Sequence, residues 1–480
     1  MRKILLIYFL LLNFYTSFSQ NLYPSGNKFP LGLYSLHTDL ESAHNNYWNH
    51  GHRYNYRIDN MTFIASPMPD SYFIECLENN LYSMARLSSI DSLGVKWAPK
   101  IQTTINEVLQ QEKHQNISWW DIPEELRYWK KNEYSILKEY PKIIREFDSK
   151  KRPIYMYIPG HYNEQSIEYY VPFLDVLPAS CYPIYHHLPH IYIRWSIERT
   201  KEAVLNQGYK LGQDYINNEK TIIAVLELFE QEAKLTKEGT WHDFWLALAC
   251  DVKGIQVFSH FYRNASLSLI ESWKKLNQAV NIFKEAQLDK AILFGKDVNL
   301  RSKIIAGPIL SPSFNLNDKI HSYSSIKILA KEFNDTTYII VVNSANDRVI
   351  YEINNIAPLI INSENILSGD ISEIKDQTLR DTLNSLEVSL FKFYTDKSKI
   401  STLIYPSPTR KHVSIRIIDS KITFDKIKIY TINGELIQED DCDYCIEKKI
   451  KLKENLHGPY IIQLLRNKEH IASNKFIVLD

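Results

Sequence analysis

Ile117-Ser-Trp-Trp-Asp-Ile-Pro-Glu-Glu-Leu126 reads as a short buried strand that runs into a polar mouth rimmed by indoles. Two tryptophans, an aspartate and two glutamates fall between positions 119 and 125. Pro123 lacks a backbone N–H, so pairing is expected to end where the carboxylates begin. Carboxylates beside indole rings at a strand's C-terminal end suit binding and acid–base work on a sugar. The plainer reading is a strand end followed by the acidic first turn of a helix, with Glu124 and Glu125 favoured there by the helix dipole.

Outward from this stretch, apolar strands alternate with amphipathic helices, the pattern of an α/β fold. Strands are expected at Phe29 to Leu36, within Tyr54 to Ala65, at Val95 to Ile101 and at Ile117 to Ile122. Further strands are expected at Pro153 to Ile158, Val176 to Tyr182, Thr221 to Leu228 and Gly254 to Ser259. Helices are expected over Ser71 to Leu93, Lys131 to Asp148, Ile191 to Gly208, Trp241 to Asp251 and Leu267 to Ala286. Eight such strands fit a (β/α)8 TIM barrel over residues 20–292. An open doubly wound sheet is the alternative. No Gly-x-Gly-x-x-Gly turn follows any strand, which leaves dinucleotide binding unsupported.

After residue 292 the helical period gives way to strands separated by Asn, Asp and Ser. This is the grammar of a β-sandwich over 293–398 and a small β-module over 399–480. Residues 1–19 read as a signal peptide: Arg2 and Lys3, an apolar run from Ile4 to Tyr15, then small residues before Gln20. The run is too short for a comfortable membrane span.

The 480 residues carry 56 basic and 56 acidic side chains, a balance that points away from nucleic acid and anionic membranes. The 31 tyrosines and nine tryptophans favour sugar-stacking surfaces as well as cores. Five cysteines are too sparse for a disulfide framework, and Cys442-Asp-Tyr-Cys445 is read as a local disulfide or free thiols. His186, His187 and His190, and His50 with His52, lack a nearby acid at metal-binding spacing, so no metal and no cofactor is expected. A nucleophile elbow of the Gly-x-Ser-x-Gly type is missing.

Two resemblances carry further expectations. Tyr405-Pro-Ser-Pro408, Ile429-Tyr-Thr-Ile-Asn-Gly434, Gly458-Pro-Tyr-Ile-Ile462 and Lys475-Phe-Ile-Val-Leu479 resemble the C-terminal sorting domain of the type IX secretion system. The resemblance implies export to the cell surface or medium, with that machinery as partner. Residues 29–300 resemble TIM-barrel glycoside hydrolases of the clan whose catalytic glutamates end strands four and seven. The matching pieces are Trp119-Trp-Asp-Ile-Pro-Glu-Glu125, Phe147-Asp-Ser-Lys-Lys-Arg-Pro153, Ser180-Cys-Tyr-Pro183 and Trp245 to Ile255. The clan's Asn-Glu pair is absent, since Pro123 precedes Glu124.

Independently of that likeness, Glu227 ends an apolar strand, where a carboxylate is costly unless paired or functional. Glu124 is assigned as acid/base, Glu125 as its alternate and Glu227 as nucleophile in the hydrolysis of a β-linked glycan. The clan resemblance implies that the carboxyls lie about 5–5.5 Å apart and that the reaction is retaining. Tyr182 is expected to donate a hydrogen bond to Glu227. Trp120, Tyr157, His161 and His260 are expected to bind the sugar, and Trp120 is preferred to Trp119 because the two alternate faces. The competing functions are a non-catalytic carbohydrate-binding protein on a barrel scaffold and a surface adhesin.

Overall fold

The computed structural model describes residues 22–34, 62–65, 82–87, 101–213, 220–229, 234–258, 266–357, 360–374, 376–395, 402–405, 407, 409, 411–417, 423–454, 456–466 and 469–479. The expected signal peptide, His50, His52 and His260 lie outside these residues. Among the described residues no helix is long and apolar enough to cross a membrane.

The protein is a mixed α/β structure built on a parallel sheet, with many further β-strands. Strands β1 (Leu31–Tyr34), β2 (Phe63–Ala65), β3 (Tyr82–Arg86), β4 (Ile117–Asp121) and β5 (Ile154–Tyr155) come first. They are followed by β6 (Val176–Cys181), β7 (Thr221–Glu227) and β8 (Ile255–Phe258). Each pairs in parallel with its successor, and β8 pairs back onto β1 from Leu31↔Ile255 to Tyr34↔Phe258, so the eight form a ring. Pairing is deep between β6 and β7 and thin at β5, which meets β6 through Tyr155↔Val176 alone. Helices α1 (Ile101–Gln111), α2 (Lys131–Phe147), α3 (Glu164–Glu168), α4 (Tyr192–Leu211), α5 (Lys237–Ala249) and α6 (Leu267–Glu285) follow β3 to β8 in turn.

The third strand corrects the sequence reading. Tyr82–Arg86 lies inside the stretch expected as a helix over 71–93, and Ile101, the expected end of strand three, opens α1. Ser83, Met84 and Ala85 are all buried, between β2 and β4. The apolar spacing around Met84 also fits a helix; the need to fill the gap between β2 and β4 decides for a strand. The remaining expected strands each contain an observed one.

Alternation along the strands sorts side chains into two layers. Phe63, Met84, Trp119, Tyr155, Val176 and Ile223 meet inside the ring. Leu33, Ala85, Trp120, Ile154, Leu177, Ala224 and Val257 face the helices. Gly32 belongs to this design: a Cβ there would sit 2.2 Å from the Phe63 ring, so only glycine lets that ring fill the ring's centre.

Helix α7 (Leu288–Phe294) leads out of the barrel region. Strands Ile326–Phe333, Thr336–Asn343 and Val388–Thr395 lie in a six-stranded sheet, and Val349–Asn354 and Leu379–Leu383 in a three-stranded one. The two share a buried core that includes Ile339, Val341, Tyr351 and Phe393. On its other face the larger sheet packs Tyr338, Ile340, Val342 and Leu390 into the same apolar cluster as the barrel's outer layer. Lys331 is paired with Asp251 at 3.1 Å and Lys327 with Glu198 at 3.1 Å across that contact. The C-terminal region holds a three-stranded and a four-stranded sheet around Val413, Ile427, Ile462 and Phe476. Its Asn433-Gly434 turn follows the strand Phe424–Thr431, with Gly434 at φ 87° as a tight hairpin requires. Cys442 and Cys445 are free thiols here.

Candidate active site

The inward set of each strand, followed one step further toward its C-terminal end, leaves the apolar interior and reaches polar groups. After Met84 comes Arg86, after Trp119 comes Asp121, after Tyr155 comes Tyr157, and after Val225 comes Glu227. These positions ring the end of the barrel where sites of this architecture gather. Tyr182, Val225 and Phe229 are buried together there, with Tyr157 and Phe258 against them. The Tyr157 and Tyr182 rings stack with centroids 6.3 Å apart and planes 17° apart. An aromatic floor therefore runs from β5 to β8.

At the β4 side the acids share one cation. Arg86 Nη2 lies 3.1 Å from Glu124 Oε1, and Arg86 Nε lies 3.6 Å from Asp121 Oδ2. Asp121 is buried, and its Oδ1 has no hydrogen-bond partner. Burial pushes its carboxyl up to about 7; the guanidinium opposes this and the charge of Glu124 adds to it. Asp121 and Arg86 were not among the residues expected from sequence. The signal was present in the alternation: Trp119 facing inward obliges Asp121 to do the same.

At the β7 side Glu227 is 8% exposed. Its Oε2 accepts from the backbone N–H of Ile184 at 2.9 Å and of Tyr185 at 3.2 Å. Burial raises its carboxyl to about 8, although both backbone donors and the charge of His190 pull the other way. The hydrogen bond expected from Tyr182 is replaced by these two amides. Tyr182 turns instead toward Tyr157, whose hydroxyl also lies 2.8 Å from Ser180 Oγ.

The two neighbouring glutamates of the opening stretch part company. Glu124 joins Arg86, and its charge reaches Asp121 and Tyr157. Glu125 is exposed, takes a left-handed backbone at φ 56° and donates its N–H to the Tyr157 carbonyl at 3.1 Å. Its charge falls on Tyr157 as well as on Arg127, His161 and Tyr162. His161 lies on the loop before α3, and partial desolvation of its ring lowers its pKa.

Trp120 is a correction. It is fully buried between strand and helices, and its Nε1 donates to Asp148 Oδ2 at 2.9 Å. Asp148 also takes the Arg152 backbone N–H at 2.8 Å and pairs with the Arg152 guanidinium at 2.9 Å. The Asp-Ser-Lys-Lys-Arg segment thus locks the turn into β5, with Trp120 as part of that lock. The two indoles do take opposite faces, and Trp119 is the inward one, packed on Phe63 with ring centroids 5.1 Å apart.

His190, His242 and Asp243 bring three ligand-type atoms within 4.8 Å of one another. They are joined directly: His190 Nδ1 and His242 Nδ1 lie 2.7 and 2.9 Å from the same Asp243 oxygen. These are hydrogen-bond distances, shorter than two ligands around one ion would keep. The acid that sequence spacing could not supply to His190 comes from 53 residues away. A groove of about 880 Å³ lies elsewhere on the barrel, lined by residues such as Tyr134, Glu168, Tyr169 and Tyr209 of the helical layer.

Residues 403–479 match the family described as the secretion system C-terminal sorting domain. That domain marks the protein for secretion or attachment at the cell surface, and implies contact with the type IX secretion machinery. Among curated proteins, none is similar in sequence to this chain. Solved structures with a similar course include an Anoxybacillus α-amylase (7% identity, TM-score 0.46, 77% of this chain and 98% of that one). A GH27 β-L-arabinopyranosidase from Geobacillus stearothermophilus (8%, TM-score 0.45, 77% and 97%) is another. The α-galactosidase I of Mortierella vinacea (10%, TM-score 0.45, 76% and 96%) is a third.

Proposed function

We propose that this exported chain is a glycoside hydrolase that cleaves its glycan between Glu227 and the Arg86-bound carboxylates at the end of β4. One observation carries this reading: β4 and β7 of one ring end in inward-stepping acids above a shared aromatic floor. Such hydrolysis needs one carboxyl that keeps its proton for the leaving oxygen and one that is ionised. The two sides of the mouth differ in this respect. Glu227, raised to about 8, holds a proton at neutral pH. Glu124 sits against a guanidinium, the natural partner of an anion. The roles expected from sequence are accordingly exchanged: Glu227 is the proton donor and Glu124 the anion. Asp121 also lies against the guanidinium, and Tyr157, backed by the buried Tyr182 ring, borders the place of the sugar.

The finer reading is retention on a β-linked glycan. It is supported by the placement of the acids on strands four and seven, and it requires the carboxyls to stand about 5–5.5 Å apart rather than the wider gap of an inverting site. Incubation with xylan, laminarin, galactan and starch, with products followed by mass spectrometry and anomer by NMR, tests both levels. The wild type is expected to release oligosaccharides or sugars from at least one, and Glu227→Gln to release none. Binding without products from any of them would leave the non-catalytic carbohydrate-binding alternative in place. In that alternative the grip of Glu227 on the 184–185 backbone is its whole purpose.

A further inference from the structure

The segment that grips Glu227 is tied down again a few residues on. Ile184 and Tyr185 hold the Glu227 carboxyl, and His190 of the same connection reaches Asp243 of α5 through Nδ1 at 2.7 Å. His242 Nδ1 meets the same Asp243 oxygen at 2.9 Å. The other edge of His242, Nε2, lies 2.9 Å from Ser344 Oγ, just after the strand Thr336–Asn343. The two imidazoles are 5.5 Å apart and inclined by 69°. Gly239, in the first turn of α5, makes the room: a Cβ there would stand 2.6 Å from His190 Cε1. His242 is fully buried.

We propose that His190, oriented by Asp243, is a positioning residue for Glu227, fixing both the loop that holds this carboxyl and the charge beside it. The proposal rests on the reading of Glu227 as the proton donor. The charges that face one another here are Asp243 and His242 from α5, His190 from the β6–α4 connection and Glu227 from β7. Tyr192 of α4 also feels Glu227. Burial works against the charge on Asp243, yet His190 and the two hydrogen bonds win and its carboxyl stays below the ordinary range. Burial likewise opposes a charge on His190, and Asp243 overcomes it, so His190 titrates above its usual value. Burial keeps His242 low and neutral, able to donate through Nδ1 and accept from Ser344 through Nε2. The result is a carboxylate shared by two imidazoles where barrel meets sheet, with His242 fully buried and His190 and Asp243 partly exposed. Toward Glu227 the cation and the anion act with opposite signs. His190 is raised, so its charge is complete below the unfolded value and is lost as pH climbs through the folded one.

The test reads the Glu227 carboxyl itself, by infrared difference titration of the full chain against Glu227→Gln, and needs no turnover. His190→Gln keeps the size and a donor but deletes the cation; the Glu227 midpoint is expected to rise by about one pH unit. Asp243→Asn deletes the anion and also the support for the His190 charge, so the midpoint is expected to fall by a smaller amount. Opposite shifts are something a merely structural pair does not produce. If His190→Gln does not fold, Asp243→Asn alone decides. A Glu227 midpoint that stays in place, or moves the same way in both variants, overturns the proposal. Moved midpoints together with no hydrolysis of any glycan would overturn the hydrolase reading and leave the positioning role standing.

Discussion

The β4 and β7 ends of the barrel carry the same functional group in opposite surroundings. Glu124 and Asp121 flank a guanidinium, and Glu124 is 30% exposed. Glu227 is buried, held by two backbone amides, with an imidazole–carboxylate pair nearby. Burial favours the neutral form and raises Glu227 to about 8. At the other rim buried Asp121 is raised to about 7 against the opposing guanidinium, while Glu124 meets that guanidinium from a partly exposed position. Paired titratable groups whose environments push them apart are how one site holds an acid and a base at one pH. The difference between the two rims, more than the presence of acids at either, makes the mouth a candidate for catalysis.

The largest effect that could break this contrast is on turnover. Glu227→Gln and Glu124→Gln are each expected to cut hydrolysis of a natural glycan by about 10²–10⁴-fold. An aryl glycoside with a good leaving group sharpens the comparison, because its departure needs no proton. Glu227→Gln is expected to recover most of the wild-type rate on that substrate, and Glu124→Gln to remain inactive. Recovery by Glu124→Gln instead would restore the roles read from sequence.

Stability against pH comes next. The folded state holds the Glu227 proton up to about 8, well above the unfolded carboxyl. The folded protein therefore binds more protons than the unfolded one between those values, and stability falls as pH rises through that window. Urea titrations from pH 5 to 8 are expected to show this loss, on the order of a few kcal/mol, and Glu227→Gln to reduce it, with the remainder belonging to Asp121, which is raised to about 7. An unchanged slope in the variant would assign the loss elsewhere.

Arg86→Gln removes the cation from the other rim. A loss of about 1–3 kcal/mol is expected in urea unfolding, chiefly from the buried Asp121 left without its partner. The smallest effect is expected at Trp120→Phe, which deletes the donor to Asp148 and keeps the ring. About 1 kcal/mol of stability and no change in KM would fit its place behind the strand. A rise in KM would return Trp120 to the sugar.

The alternation of strands and helices was readable in the chain because each strand is buried on both faces and stands out as an apolar run; Thr221–Glu227 is the plainest case. Tyr82–Arg86 was not, since it is short and its apolar spacing satisfies a helix equally well. Glu227 could be singled out from sequence because a terminal acid on such a strand demands a reason. Asp121 and Arg86 escaped because they look ordinary until the inward set is known. His190 escaped for another reason: its partner Asp243 is distant in sequence, and only packing of α5 against the β6–α4 connection unites them. Local patterns report which face a residue takes; they do not report which distant residue it meets there.

The most direct measurement is the infrared titration of the wild type, with the Glu227→Gln spectrum subtracted. A glutamic carboxyl band that persists through neutrality and disappears near pH 8 is the predicted result. A Glu227 band already lost by about pH 5, as for an ordinary glutamate, would contradict it. The β7 rim would then have no proton to give.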